Sequence, residues 1–189
     1  MAESPDPGGG ETAGGLDRAA NLLGAMSLVV ADQATDAVAE AAGRSESAAA
    51  ALSALVHFLD RPSIDLLRQV LGLTSSGTVR LIDRLAESGY VRRDPGADGR
   101  STSVVLTDSG RQAAQHVSHA RAQVLERSLS VLSRDERVTF EHLVGKVLVG
   151  MMRGPGATRW MCRLCDVGVC RSATGGCPVG NAARERYGR

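Results

Sequence analysis

The 189-residue sequence predicts a mainly α chain, with a helix-turn-helix followed by a small β-hairpin and flanked by long helices. Three observations lead there. Apolar residues recur at steps of three and four along most of the chain, as one buried helix face requires. A short capped helix, a Gly and a second capped helix follow one another between residues 63 and 88. The next stretch, from residue 90 to 106, changes to β-branched residues around a Pro-Gly turn.

Residues 1–15 combine Gly and Pro with three acids, Glu3, Asp6 and Glu11, and are read as a disordered tail. Leu16, Ala19, Leu23, Met26, Val30, Ala34, Ala37 and Ala41 then mark one stripe of a long helix ending near Gly43. Ser45 caps an Ala-rich helix closed by Arg61-Pro62. Ser63 caps Ile64 to Val70, and Gly72 breaks that helix. Thr74 and Ser75 offer the cap for the next, which runs to about Ser88. Tyr90 to Arg93 and Ser101 to Leu106 are strand-like around the Asp94 to Gly99 turn. Thr107 or Asp108 caps a helix to about Leu132. Ser133 caps the last, whose stripe is Phe140, Leu143, Val144, Val147, Leu148 and Met151; Gly154-Pro155-Gly156 is expected to end regular structure. Met26, Met151 and Met152 are expected as core filler.

Composition narrows the function classes. A hydrophobic fraction of 43% with 22 basic against 21 acidic residues describes a globular chain. No apolar run is read as reaching the ~18 residues of a membrane span, and the acidic, Gly-rich start is no export signal, so a cytoplasmic protein without a membrane partner is expected. Enzyme motifs are absent: there is no Gly-rich phosphate loop, no G-x-S-x-G and no H-E-x-x-H. All basic residues but Lys146 are Arg, whose planar fork suits phosphates and guanine edges.

On the second helix of the helix-turn-helix, inward-facing Val79, Ile82 and Leu85 would turn Ser75, Ser76, Thr78, Arg80 and Arg84 outward. The hydroxyls at that helix start can meet bases or phosphates, and the two Arg can bond the backbone or a guanine. Alternatively, Arg80 pairs with Asp83 or Arg84 with Glu87 on a solvated face. Arg100, beside Gly99 at the hairpin tip, suits a narrow minor groove, with Asp98 orienting it.

The stretch Asp83-Arg84-Leu85-Ala86-Glu87-Ser88-Gly89-Tyr90-Val91-Arg92-Arg93, then Asp98-Gly99-Arg100 and Leu106-Thr107-Asp108-Ser109-Gly110-Arg111, resembles the multiple-antibiotic-resistance regulator (MarR) family over roughly residues 16–152. That resemblance implies a winged helix-turn-helix with a helical dimerisation region formed by first and last helices. It also implies a homodimer binding a double-stranded DNA operator, with release by a small-molecule ligand, metal or oxidant. Asp98 and Arg100 would be the wing's characteristic pair, and Arg92 and Arg93 would stand at its base near the phosphates. Two recognition helices would lie roughly 34 Å apart.

Residues 153–189 fall outside that resemblance. Cys162, Cys165, Cys170 and Cys177 form C-x2-C-x4-C-x6-C-P without a His inside the span. Four thiolates so spaced can wrap a zinc ion or an iron-sulfur cluster, or act as redox thiols forming disulfides. Asp166 could support them or serve as an oxygen ligand, although a solvated acid is the simpler reading. Occupancy or oxidation there would change dimer geometry and so DNA affinity; a constitutive staple is the alternative. His116, His119 and His142 are weighed as a metal set against ordinary surface histidines. A protein-interaction winged helix and a thiol oxidoreductase are the rival functions, distinguished by retention on DNA and by turnover of a disulfide substrate.

Overall fold

Five hydroxyl side chains start five helices by accepting the orphan N–H two or three positions into the first turn. Ser45 accepts from Ala48 N at 3.3 Å, Ser63 from Leu66 N at 3.2 Å, Thr74 from Gly77 N at 3.1 Å, Thr107 from Gly110 N at 3.0 Å and Ser133 from Glu136 N at 3.4 Å. In this computed structural model, which describes residues 17–43, 45–96, 101–154, 156–170 and 175–188, the order is α1 (Arg18–Ala41), α2 (Glu46–His57), α3 (Ile64–Leu71), α4 (Ser75–Glu87), β1 (Val91–Pro95), β2 (Thr102–Leu106), α5 (Asp108–Leu129), α6 (Arg134–Gly150), α7 (Ala157–Met161) and α8 (Pro178–Tyr187). The mainly α class with one hairpin holds. The expected tail, 1–15, lies outside the described residues.

The principal core gathers Leu52 and Leu55 of α2, Leu67 of α3, Leu81, Ile82 and Leu85 of α4, Val91, Val104 and Leu106 of the hairpin and Ala114 of α5. Gly72, at φ 66°, ends α3 in the left-handed region, where its missing Cβ avoids the usual steric cost, and so sets the turn into α4. β1 and β2 are antiparallel, with Val91 opposite Leu106 and Pro95 opposite Thr102. Pro62 O accepts from Val104 N at 2.9 Å and Ser63 bridges Ser103, which ties the hairpin to the entry of α3.

The Leu-Thr-x-x-Gly start of α5 has a steric explanation. Thr107 donates its hydroxyl to Gly89 O at 2.6 Å while accepting from Gly110 N. A Cβ on Gly110 would stand 1.9 Å from Tyr90 O, so only glycine lets the helix start lie this close to the chain entering β1.

Several expectations change. The second helix stops at His57, three residues before Asp60, and Arg61 takes a positive φ of 44° on the way to Pro62. The α6 stripe is not buried in the single chain: Leu143, Val147, Leu148 and Met151 are exposed, and the buried residue of α6 is Gly145, beneath Pro178 of α8. Met26 of α1 is exposed too, whereas Met152 is buried as expected. Regular structure resumes after Gly156 because Met152, Ala157, Cys177, Val179, Ala182 and Ala183 build a second, small core between α6, α7 and α8. Finally, α1 is long and apolar enough, by length and composition alone, to cross a membrane, and its apolar stretch is 6% buried. The expectation that no segment passes that test is therefore corrected. Its C-terminal part nevertheless packs into the chain, Val38 meeting Ala49 and Val117.

Candidate nucleic-acid interface and C-terminal thiols

The outward face of α4 follows from what its inner face buries. Thr78, Leu81, Ile82 and Leu85, at i, i+3, i+4 and i+7, form the inward stripe. Thr78 is completely buried and donates its hydroxyl to Thr74 O at 2.9 Å, so it is not an outward contact, a correction to the sequence expectation. Val79 takes its place and is 42% exposed. Anchoring the periodicity on Leu81 and Leu85 instead of Val79 would have found this, because 78 completes that stripe. Ser75, Ser76, Arg80 and Arg84 are exposed as expected.

Electrostatics separates the arginines. Arg93 Nη2 donates to Asp83 Oδ1 at 2.7 Å, so Asp83 ties α4 to β1 instead of pairing with Arg80. Arg92 is paired with Asp94, which also faces Arg61 Nη1 at 3.1 Å. Sequence reasoning missed Arg61; its partner lies more than thirty residues on, and only the fold brings them together. Arg80 and Arg84 make no ion pair with the described residues, which leaves two guanidinium groups displayed on one helix. Asp98 and Arg100 lie outside the described residues.

The four cysteines are free thiols. The thiols of Cys162, Cys165, Cys170 and Cys177 lie near enough to act on one another. The neighbouring Cys162 thiol, helped by the positive charge of Arg121 on α5, draws the Cys165 thiol down to about 6 against burial and Asp166. Cys162 is in turn pushed up, by Cys165 first and then by burial and the other thiols. Burial, followed by the charges of Cys165 and Cys177, raises Cys170. Cys177 is buried and its Sγ accepts from Gly180 N at 3.3 Å, capping α8. Among the described residues no group of three or more His, Cys, Asp or Glu is set to hold a metal ion. His119 instead bonds Gln123 on its own helix at 3.0 Å, while His116 is exposed.

Asp166 is more than a solvated acid. Its Oδ1 accepts from Gly168 N at 2.8 Å and Val169 N at 3.2 Å, shaping the turn between Cys165 and Cys170. The same oxygen faces His57 Nδ1 of α2 at 3.9 Å, and His57 Nε2 meets Ser118 Oγ of α5 at 2.8 Å. Ser118 gives its own proton to Ala114 O at 2.9 Å, so this Ser-His-Asp chain ties three segments together and presents no free nucleophile. An open cleft of about 680 Å³ lies where α6 ends, lined by Gly150, Met151, Arg153 and Trp160.

Residues 42–101 match the MarR family. Over 84 residues, 44% of this chain, the sequence is 29% identical to the Bacillus subtilis protein YwhA, described as an uncharacterised HTH-type transcriptional regulator; the chain spans 60% of that relative's length. A MarR family protein from Bacillus stearothermophilus superposes with a TM-score of 0.61 at 22% identity, covering 69% of this chain and 91% of that one. A Staphylococcus aureus MepR mutant bound to an oligodeoxyribonucleotide gives 0.54 at 18% identity, covering 72% of this chain and 100% of that one. Residues 42–101 thus carry the sequence pattern of the MarR family, and the helix-turn-helix, its hairpin wing and the flanking long helices share the winged-helix fold of these solved structures.

Proposed function

We propose that the chain is a sequence-specific transcriptional regulator that binds an operator in double-stranded DNA as a homodimer. The observation that carries this reading is the outward face of α4, where Ser75, Ser76, Val79, Arg80 and Arg84 are all exposed on a helix whose other face is locked into the core. A helix so held can enter a major groove with its N-terminal residues toward base edges. Val79 suits a thymine methyl, and Arg80 and Arg84 suit phosphate or guanine. Arg92 and Arg93, already paired, keep the wing base rigid and add charge beside the backbone, while Asp98 and Arg100 would serve the wing tip. The MepR mutant seen with an oligodeoxyribonucleotide shares this fold, which supports the same use here.

The dimer reading rests on the exposed apolar residues of α1 and α6, Leu22, Leu23 and Met26 on one and Leu143, Val147 and Met151 on the other. The cleft at Met151 and Trp160 continues that surface and is read as part of the same contact, although a small-molecule ligand is the other occupant the reading allows. The C-terminal thiols are read as tuning DNA affinity through zinc, an iron-sulfur cluster or their own redox state. A protein-interaction winged helix is the competing function, and it predicts no retention on DNA.

The test is selection of duplexes from a random pool, followed by titration of the winner against salt. Arg84→Ala is expected to weaken binding and lower the slope of log affinity against log salt by about 1 if it meets a phosphate. No duplex retained above background at low salt would refute the reading.

A further inference from the structure

Asp94 lies near the tip-side end of β1, and its carboxylate takes one guanidinium on each oxygen, Arg92 of the same strand on Oδ1 and Arg61 Nη1 on Oδ2 at 3.1 Å. The Asp94 side chain is 14% exposed, whereas those of Arg61 and Arg92 are 47% and 57% exposed. Among the described residues no second carboxylate meets either arginine. Two positive charges therefore share one negative charge, and each contact uses one nitrogen of a fork with five N–H donors. Arg61 comes to this place along the connection between α2 and α3, which is fixed to β2 where Pro62 O accepts from Val104 N and Ser63 bridges Ser103. Its φ of 44° is the positive value of a non-glycine residue, the one such case among the described residues. Glycine would sit there without the steric cost of a Cβ, so the backbone alone gives no reason for an arginine. β1 is joined in turn to α4, since Arg93 Nη2 donates to Asp83 Oδ1 at 2.7 Å. The Arg61–Asp94–Arg92 cluster thus belongs to the same tied unit as the exposed Arg80 and Arg84.

We propose that Arg61 is a contact to the DNA backbone, forming with Arg92 a two-guanidinium clamp for one phosphate that Asp94 holds in place beside the wing. The assignment rests on the regulator reading and adds to it a residue outside the helix-turn-helix and the hairpin. A phosphodiester has two unesterified oxygens, and each guanidinium can give one of them a charge-assisted bond while another of its nitrogens keeps Asp94. Asp94 is a positioning residue: it holds two like charges side by side before DNA arrives, which their mutual repulsion would otherwise oppose. The surplus positive charge then meets phosphate wherever the wing lies, whatever the base pairs beneath it. Arg61 accordingly supplies affinity, and α4 supplies the choice of sequence.

The full chain is titrated against salt on the duplex selected from the random pool and on a shuffled duplex of the same length. Arg61→Gly removes the guanidinium and suits the positive φ. For each chain bound it is expected to weaken both duplexes about tenfold at roughly 0.1 M salt and to lower the slope of log affinity against log salt by about 1. Arg61→Gln, with a side chain but no charge, should behave alike, and Arg61→Lys should recover the slope. Arg137→Ala, which removes a guanidinium paired with Glu126 on another part of the chain, should leave the slope unchanged. Urea midpoints verify that each variant is folded. If the natural chain binds and folded Arg61→Gly and Arg61→Gln keep its slope, the assignment is overturned while the regulator reading stands. A loss confined to the selected duplex would make Arg61 a reader of bases and overturn it equally. If the natural chain is retained on neither duplex, the regulator reading falls and the assignment falls with it.

Discussion

Gly110 and Thr78 show how single residues set the geometry of the lobe. Gly110→Ala would drive a Cβ to 1.9 Å from a backbone oxygen, which no side-chain rotation relieves. We expect it to lose about 3 kcal/mol, read from the urea midpoint, at the upper end of overpacking costs. Thr78 and Val79 exchange the roles that hydrophobicity alone would give them, because the stripe through Leu81 and Leu85 passes through 78. Accordingly, Val79→Ala should change stability by less than about 0.5 kcal/mol while weakening DNA binding. Ile82→Ala, three positions on and fully buried, should cost about 2–5 kcal/mol. Equal stability losses for the two variants would contradict the observed orientation of α4.

At the scale of elements, caps carried much of the reading. Ser45, Ser63, Thr74, Thr107 and Ser133 were legible in the sequence because a helix start needs only local partners. Ser133 completes a capping box with Glu136, whose carboxylate accepts from Ser133 N at 2.8 Å and is held below its ordinary range by that bond. Ser133→Ala should cost about 1 kcal/mol. Since the folded-state value of Glu136 is lowered, its contribution is present above the usual Glu value and disappears as pH falls through the folded one. Stability measured against pH should therefore show Glu136→Gln below the natural chain at neutral pH, with the two converging in acid. Parallel curves down to strongly acid pH would contradict the box. Helix ends were less legible: α2 stops at His57 since the chain must turn through Arg61 to deliver Pro62 beside Val104.

For the molecule as a whole, the proposed homodimer rests on the exposed apolar residues of α1 and α6. Leu143 and Met151 are 53% and 57% exposed in the single chain, more than a water-facing helix would choose at positions of such regular spacing. A Leu143→Glu, Val147→Glu double variant is expected to sediment as a monomer and to lose operator binding, while its circular dichroism keeps the helical signal. Persistence of the dimer would place the interface elsewhere. On the proposed dimer, α1 is long and apolar enough to cross a membrane because a face that meets another protein surface and one that meets lipid have similar chemistry.

Period, caps and turn residues suffice to specify α1 to α6 and the hairpin in order, since each depends on neighbours within four residues or across one tight turn, whereas α7 and α8 were not legible there. They also marked Ser75, Ser76, Arg80 and Arg84 as an outward set and the four cysteines as a chemical group. Contacts between distant segments were decided by tertiary structure alone. Asp83 with Arg93, Asp94 with Arg61, and Asp166 with His57 and Ser118 are pairings whose members carry no local signal for one another. Which helix stripe becomes core and which stays exposed is likewise a property of what packs above it. For that reason α4 could be oriented only to within one residue from sequence, and α6 was expected to bury a face that the folded chain leaves open.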